Sequence, residues 1–397
     1  MNILLTTIFE FPHTGGLSTH MQTLKKGLEH LGHHVDTLSF SNVPYIKRKG
    51  TVQAPSYLMN RFIQGKGFIW SQFRRQTLLE KMLETRGAAY DIISAQDIFS
   101  ALAACKHGLP TTLTTHGYMA REAISKGSLL NESPETKRVF DEEKRAYQAA
   151  DQIITVDSRI KNYVLDQSGV EAVSIPNFIN VDDFQPDPAK KDAIKKELGI
   201  NPDAQVLLVP RRLTKKNGVI LPVQAMPAIL AAFPDAYLIY AGDGEERSAI
   251  KKVMREQYLD NHVLLLGSVP HHKMKKYYNI ADIVLIPSIH SEGVEEATSI
   301  AALEAMGSGA PVIAGAVGGL REMIEDGVDG IHVADGQSDA LASATIRLLG
   351  NHDFRQRLAD KARQKVETHY SHLSAAKRYA AIYQSVLENR GTSPRSV

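Results

Sequence analysis

The stretch MNILLTTIFEFPHTGGLSTHMQTLKKGLEHLGHHVDTLSF, residues 1–40, has the pattern of a strand, a helix and a second strand. Its apolar ends, near 2–7 and 35–40, predict buried strands. Between them, apolar residues recur at steps of three or four and so share one face of a helix: Leu17, Met21, Leu24, Leu28 and Leu31. Gly32 follows, where a helix end favours a left-handed residue. The stretch therefore predicts the strand–helix–strand unit of a parallel sheet.

The same pattern repeats along most of the chain. In the first half it predicts further strands near 90–95, 110–115, 152–157 and 172–176. In the second half it predicts strands near 205–210, 236–241, 263–267, 282–287 and 311–315. After about residue 338 only helical patterns remain, the last near 373–389.

This order predicts an α/β protein with two Rossmann-like, doubly wound parallel-sheet domains facing a central cleft. The expected domains are 1–180, with a C-terminal helix at about 373–397 packing back on it, and 205–372. Residues 181–204 are predicted to be a linker, because VDDFQPDPAKKD carries two prolines and mixed charge. Ligands of such sheets bind at the carboxyl ends of the strands.

Composition narrows the class of protein. Apolar residues make up 43% and charged residues 23% of the 397, which indicates large buried cores rather than disorder or fibrous repeats. The formal charge of +2 predicts no nucleic-acid partner. The single cysteine, Cys105, cannot form an internal disulfide, and no signal peptide or apolar run of about 20 residues is evident. A cytoplasmic protein is expected.

Two glycines, Gly15 and Gly16, end the loop between the first strand and the first helix. Glycines at a helix N-terminus let a phosphate approach the free N–H groups there. A paired glycine in such a turn is structural about as often. The chain contains neither G-x-G-x-x-G nor G-x-x-x-x-G-K-[ST], so these motifs give no support to NAD or ATP enzymes.

His116 ends the predicted strand of TTLTTHGY, where its side chain would project toward a ligand. A satisfied core or surface histidine is the alternative. His13, His20, His271 and His272 have weaker claims, and no histidine pair has the spacing of a helical metal site, so no metal is predicted.

The segment VLLVPRRLTKKNGV sets Arg211, Arg212, Lys215 and Lys216 beside Asn217 and Gly218 after a predicted strand. Cations at a strand end suit a diphosphate, because they neutralise the charge that grows as a phosphate ester departs. A solvated basic turn is the alternative.

The segment PSIHSEGVEEATSIAALEAMGSGAPVIA places Glu296 and Glu304 eight residues apart. On one helix they would lie about 12 Å apart along the axis and about 80° around it, which excludes a side-by-side acid/base pair. We expect Glu296 in a loop, Thr298 or Ser299 capping a helix, and Glu304 one or two turns inside it. The helix N-terminus would bind a phosphate, and the two carboxylates would accept hydrogen bonds from hydroxyls on either side of it. A nucleotide sugar has this arrangement of groups. An acidic surface helix is the alternative.

Taken in order, these segments resemble the retaining glycosyltransferases of family GT4, which have the two-domain GT-B fold. The resemblance runs from residue 1 to about 390 and includes ADQIITVD, IPNFINVDDF, RRLTKKNG, YAGDGEE, ADIVLIPS and the Glu296-x7-Glu304 spacing. It implies a hexosyltransferase-type enzyme (EC 2.4) that moves a sugar from a nucleotide-sugar donor to a glycan, a lipid-linked or a small-molecule acceptor. A UDP-sugar is expected as the donor from its frequency in the family. The transfer would retain the anomeric configuration and need no metal or other cofactor.

The resemblance also assigns roles to residues. Arg212 and a following lysine would bind the donor diphosphate, with Gly16 approaching the phosphate. Glu304 would hold the nucleotide ribose, Glu296 would contact the transferred sugar, and His116 would orient it and stabilise charge.

Two positions depart from the family pattern. Asn217 stands where the family has lysine, so Lys216 is the expected substitute. Thr298 and Ser299 lie where the family has E-G-F-G, so the contacts with the donor sugar are expected to differ.

Residues 45–86 contain nine basic and two acidic side chains, with interleaved aromatic residues. This composition predicts peripheral contact with an anionic membrane at its inner face, where the acceptor would be lipid-linked. A variable loop region that binds a soluble, anionic acceptor is the alternative. The acceptor itself leaves no signal in the sequence.

Two other functions fit a chain of this kind: a binding protein that holds a nucleotide sugar without transferring it, and a nucleotide-sugar epimerase of similar fold. The joint presence of His116, Arg212, Glu296 and Glu304 favours the transferase.

Overall fold

A computed structural model describes residues 1–13, 15–290 and 298–392. The chain divides into two compact units, one made of residues 1–177 with the segment from His372, the other of residues 178–371. Within the described ranges, no helix is long and apolar enough to span a bilayer.

The described part of the first unit contains these strands and α-helices in chain order: β1 (Asn2–Thr6), α1 (Gly16–His30), β2 (His34–Leu38), α2 (Tyr45–Arg48), α3 (Ala54–Phe62), α4 (Lys66–Arg86), β3 (Ile92–Ala95), α5 (Ile98–Cys105), β4 (Thr111–Thr115), α6 (Met119–Ser125), α7 (Pro134–Ala149), β5 (Gln152–Thr155), α8 (Ser158–Ser168) and β6 (Ala172–Ser174). All strands pair in parallel, in the order β2-β1-β3-β4-β5-β6.

The second unit also has a six-stranded parallel sheet, in the order β12-β11-β10-β7-β8-β9. Its elements, followed by the last helix of the chain, are α9 (Lys191–Glu197), β7 (Val206–Val209), α10 (Ile220–Ala232), β8 (Tyr237–Tyr240), α11 (Arg247–Glu256), β9 (Val263–Leu265), α12 (His271–Ile280), β10 (Ile283–Ile286), α13 (Ile300–Gly307), β11 (Val312–Gly315), α14 (Gly318–Met323), β12 (Ile331–Val333), α15 (Ser338–Leu349), α16 (His352–His369) and α17 (His372–Thr392).

The predicted architecture of two doubly wound parallel sheets is confirmed. In α1, Met21, Leu24 and Leu28 are completely buried, and Gly32 beyond the helix has a φ of +83°. The last helix, α17, belongs to the first unit, where its Tyr379 is completely buried. The hydrophobic faces read from the sequence therefore lie against the sheet and helices for which they were predicted.

Three segments differ from the expectations. Residues 331–333 form β12, a three-residue edge strand too short for a clear period-two pattern. Residues 181–204, predicted as an exposed linker, contain α9 and belong to the second unit, because Ile194 and Ile200 are buried there. Residues 45–86, for which no secondary structure was predicted, form α2, a π-helical turn at Lys49–Gln53, α3 and α4.

Candidate functional site

The loop that follows β7 carries a row of cations at the end of the strand. Arg212 and Lys216 are exposed, whereas Arg211 is buried and its guanidinium donates to Ser288 Oγ, just beyond β10. The N–H of Ile289 donates to Lys216 O at 3.0 Å, which ties the two loops together. Because β7 and β10 are neighbouring parallel strands, these loops lie at the same edge of the sheet. The exposed cations are placed where a ligand at that edge would meet them.

Asn217 and Gly218 shape this loop from inside. The Asn217 side chain is buried, and its Nδ2 donates to Arg212 O at 2.8 Å, while Oδ1 has no hydrogen-bond partner within the described ranges. Gly218 has a φ of +61°, and a Cβ at this position would overlap the carbonyl oxygen of Pro287. Only glycine tolerates both the positive φ and the close approach of Pro287 O. Asn217 therefore supports the loop, and Lys216 beside it is the exposed cation.

Glu304 lies a little more than one turn inside α13, as predicted, and is only 4% exposed. Its Oε1 is 2.6 Å from His271 Nε2, and its Oε2 accepts a hydrogen bond from Tyr278 OH at 2.8 Å. Burial, followed by the nearby Glu304 carboxylate, raises the pKa of Tyr278 well above its usual value, so the phenol remains a donor. A carboxylate has about four lone-pair sites, and these two partners leave room for ligand hydroxyls.

The start of α13 differs in detail from the expectation. Ser299 is the N-cap residue, but its hydroxyl makes no capping hydrogen bond to the first-turn N–H groups in the part of the chain described, and Thr298 beside it is also buried. Ser299 therefore does not supply the predicted side-chain cap. Glu296 lies outside the described residues.

In the first unit, a cavity of about 430 Å³ opens where β3 and β4 end. Its lining includes Gly16, Gln96, His116 and Gly117. Gly15 is the N-cap of α1 and Gly16 its first residue. No described atom lies within 4 Å of the place a Gly16 Cβ would occupy, so the space above this helix start is open. The cavity thus joins a helix N-terminus, which favours negative charge, to the predicted histidine.

His116 is held by two neighbours. Its Nε2 lies 3.1 Å from Gln96 Oε1, and its ring packs edge-on against His20, with ring centroids 4.5 Å apart. Burial lowers the pKa of His116 to about 4. It also lowers the pKa of His20 well below its usual value, and the proximity of His116 lowers it further. Both rings are therefore neutral at physiological pH.

Sequence reasoning missed Gln96 and Tyr278 and gave His271 a weaker claim. Each left a usable signal. Gln96 directly follows the end of β3, as His116 follows β4. His271 and Tyr278 are seven residues apart in α12 and so share a helix face. Within residues 1–13, 15–290 and 298–392, no three side chains of His, Cys, Asp or Glu are grouped to hold a metal ion.

Sequence models of two families match the chain, one on most of each unit. The model described as Glycosyltransferase Family 4 matches residues 14–183, and the model described as Glycosyl transferases group 1 matches residues 190–365. Together they span both candidate sites.

Individual proteins show the same likeness. An uncharacterised glycosyltransferase of Methanocaldococcus jannaschii is 29% identical, over 98% of this chain and 100% of its own. The lipopolysaccharide 1,2-N-acetylglucosaminetransferase of Salmonella typhimurium is 30% identical, over 57% of this chain and 60% of its own. The structure of the Anabaena protein HepE in complex with UDP has a TM-score of 0.71 at 19% identity, covering 97% of this chain and all of that one.

Proposed function

Because this chain belongs to the family 4, group 1 glycosyltransferases and has their GT-B fold, we propose that it is a retaining, metal-independent transferase that uses a nucleotide-sugar donor. One observation carries the proposal. The loops after the adjacent strands β7 and β10 bring exposed Arg212 and Lys216 to the sheet edge beyond which α13 holds the buried carboxylate of Glu304. A diphosphate needs the cations, and ribose hydroxyls need the carboxylate.

The chemistry follows from this arrangement. In the transfer, the bond between the anomeric carbon and the diphosphate oxygen breaks, its electron pair goes to that oxygen, and an acceptor oxygen bonds to the carbon. Arg212, Lys216 and the N–H groups at the start of α13 would stabilise the charge that grows on the departing diphosphate. His116, with Gly16 in the same cavity, would orient the transferred sugar, and Glu296 would contact its hydroxyls.

The donor is tested by thermal unfolding with UDP-, GDP-, ADP- and dTDP-sugars. A UDP-sugar is the first choice, and UDP is the nucleotide bound by the Anabaena protein of the same fold. A donor at 100 times its Kd adds about 2.7 kcal/mol to stability, enough to move the midpoint by several degrees. A selective shift identifies the donor, whereas no shift with any of the four sugars contradicts the proposal.

The reaction type needs product analysis. NMR of the glycoside made from the identified donor should show the donor's anomeric configuration, with the rate unchanged by EDTA. An inverted product or an EDTA-sensitive rate would refute those parts of the proposal. Donor binding without turnover would instead favour a binding protein, and conversion of the donor sugar without an acceptor would favour an epimerase.

We propose a lipid-linked glycan as the acceptor, reached from the cytoplasmic face of an anionic membrane. The surface of α2 and α3 supports this proposal, since Ile46 and Phe62 are 84% and 83% exposed. Lys47, Lys49 and Arg61 are exposed on the same segment, and residues 37–79 contain no acidic side chain. Exposed apolar groups beside cations suit an anionic bilayer surface. The Salmonella relative, whose name specifies lipopolysaccharide, points to the same class of acceptor.

Liposome flotation tests this contact. Vesicles with anionic lipid should carry the wild-type chain upward, and the Ile46→Ser/Phe62→Ser variant should lose most of that binding. Tyr258→Ser is the matched control, because Tyr258 is 90% exposed but lies in the second unit. Equal flotation of all three proteins, or none with anionic vesicles, would leave a soluble anionic acceptor as the better hypothesis.

A further inference from the structure

A chain of buried polar side chains leads from the cavity of the first unit to the C-terminal helix. His116 Nε2 lies 3.1 Å from Gln96 Oε1, and Gln96 Nε2 donates to Ser94 Oγ at 3.0 Å and to Ser94 O at 3.4 Å. On α17, Tyr383 OH donates to Ser94 Oγ at 2.8 Å. Gln96, Ser94 and Tyr383 are each at most 2% exposed, so water cannot readily replace these partners.

These contacts fix the orientation of the Gln96 amide. The Ser94 backbone oxygen is only an acceptor, so the NH2 group of Gln96 must face it and the amide oxygen must face His116. An amide oxygen cannot donate, so the neutral imidazole must carry its proton on Nε2. The lone pair of His116 is then on Nδ1, for which the residues described supply no hydrogen-bond partner.

We propose that Gln96 is a positioning residue for sugar transfer: it holds His116 in the Nε2–H tautomer, so that Nδ1 accepts a hydrogen bond from a hydroxyl of the sugar in the cavity. This inference rests on the proposed function, because it takes the cavity as the place of the transferred sugar. The C-terminal helix takes part through Tyr383, which holds Ser94 and thereby Gln96.

The surroundings keep His116 neutral, as an acceptor must be. His20 from α1 packs against the ring and is itself uncharged, with Tyr379 OH 3.3 Å from His20 Nε2. The carboxylate of Asp97, beside Gln96, accepts hydrogen bonds from the backbone N–H groups of Ile8, at 2.9 Å, and Ser100, at 2.8 Å.

Three more titratable side chains line the cavity: His13, Glu122 and Lys126. Glu122 and Lys126 neutralise each other in an ion pair of 2.8 Å. The carboxylates of Asp97 and Glu122 are therefore engaged by other donors, which is consistent with the lowered pKa of His116.

Nitrogen NMR of the full chain labelled with ¹⁵N-histidine tests the tautomer directly, with the His116 signals assigned by their loss in His116→Gln. The wild type should show Nε2–H from pH 8 down to about pH 5. Gln96→Glu places a carboxylate beside the ring and should raise the pKa of His116 by about 1–3 units. Gln96→Leu should mix the two tautomers. The matched control is Gln152→Glu on β5, whose amide donates only to Ile153 O within the described chain.

Transfer kinetics supply the second readout. In Gln96→Glu, the apparent pKa on the acidic side of the kcat–pH profile should rise by the same amount as the pKa of His116. In Gln96→Leu, kcat should fall by about 10–100-fold with KM little changed. An Nδ1–H tautomer in the wild type, or a His116 pKa unmoved by Gln96→Glu, would overturn the inference. If the wild type transfers no sugar, the proposed function fails, and NMR still decides whether Gln96 sets the tautomer.

Discussion

Replacing Glu304 with Gln tests the donor site at its most buried charged group. The carboxylate already accepts one hydrogen bond from Tyr278 at 2.8 Å and lies 2.6 Å from His271, which leaves about two lone-pair sites for ribose hydroxyls. In Glu304→Gln one oxygen becomes an NH2 group, so both the charge and an acceptor are lost. Because a hydrogen bond to a charged group contributes about 1.5–3 kcal/mol, donor affinity should fall by about 10–150-fold.

The choice of variants matters because Glu304 also stabilises its own unit. Glu304→Ala would leave the Tyr278 hydroxyl buried without its acceptor, at a cost of about 1–3 kcal/mol in folding free energy. This loss of stability could not be separated from the loss of donor affinity. Tyr278→Phe is the matched control, because it removes the internal hydrogen bond and keeps the carboxylate. By calorimetry, Tyr278→Phe should bind the donor nearly as the wild type does, and Glu304→Gln should not. Wild-type affinity in Glu304→Gln would refute the assignment of ribose to this carboxylate.

Three further outcomes are expected. Burial raises the pKa of Glu143 in the folded chain to about 7, against an ordinary value of 4.5, so its contribution to stability is present below pH 4.5 and is lost as the pH rises through 7. The loss is about 3 kcal/mol, and thermal midpoints at pH 5 and pH 8 should differ less in Glu143→Gln than in the wild type. Gly218→Ala should lower the free energy of unfolding by about 3 kcal/mol or more, because the strain of a positive φ adds to the overlap of the new Cβ with Pro287 O. Gly336 has a similar φ of +68° but open space around it, so Gly336→Ala should cost only about 1–2 kcal/mol. Denaturant unfolding measures both. Lys216→Ala should weaken donor binding about tenfold by calorimetry, while Lys251→Ala on the exposed face of α11 should leave it unchanged.

Much of the fold could be predicted because it depends on local patterns. Of the twelve strands in the described residues, eleven were predicted within about two residues, since a buried parallel strand is a short apolar run between turn residues. The resemblance to family 4 glycosyltransferases is likewise confirmed by the two matching family models. The helices within 45–86 were missed for two reasons. In α3, Tyr57, Leu58 and Phe62 are exposed, and in α4 the polar Ser71 and Gln72 are buried with the apolar residues, so a clear helical stripe is absent.

The site was predictable where a motif marks a strand end and not where contacts join distant segments. His116 directly follows the run of a predicted strand, and Glu304 lies in a segment unusually rich in Gly, Ser and Thr, so the sequence marks both residues. Gln96 and Tyr278 are ordinary in composition, and their importance arises from partners 20 and 26 positions away. Hydrophobic periodicity and secondary-structure propensity describe neighbouring residues, so they carry no information on such long-range contacts.

The loop after β7 explains why position 217 does not suit the lysine of the family pattern. A lysine at position 217 would have to bury its ammonium group or reopen the loop, because Asn217 is 5% exposed and bonds the carbonyl of Arg212. The next residue, Gly218, packs directly on Pro287, so the loop cannot rotate to expose position 217 without breaking that contact. Positive charge at this strand end is therefore available only from exposed residues such as Lys216. Asparagine at 217 and lysine at 216 thus act as one unit, the first fixing the loop and the second presenting the charge.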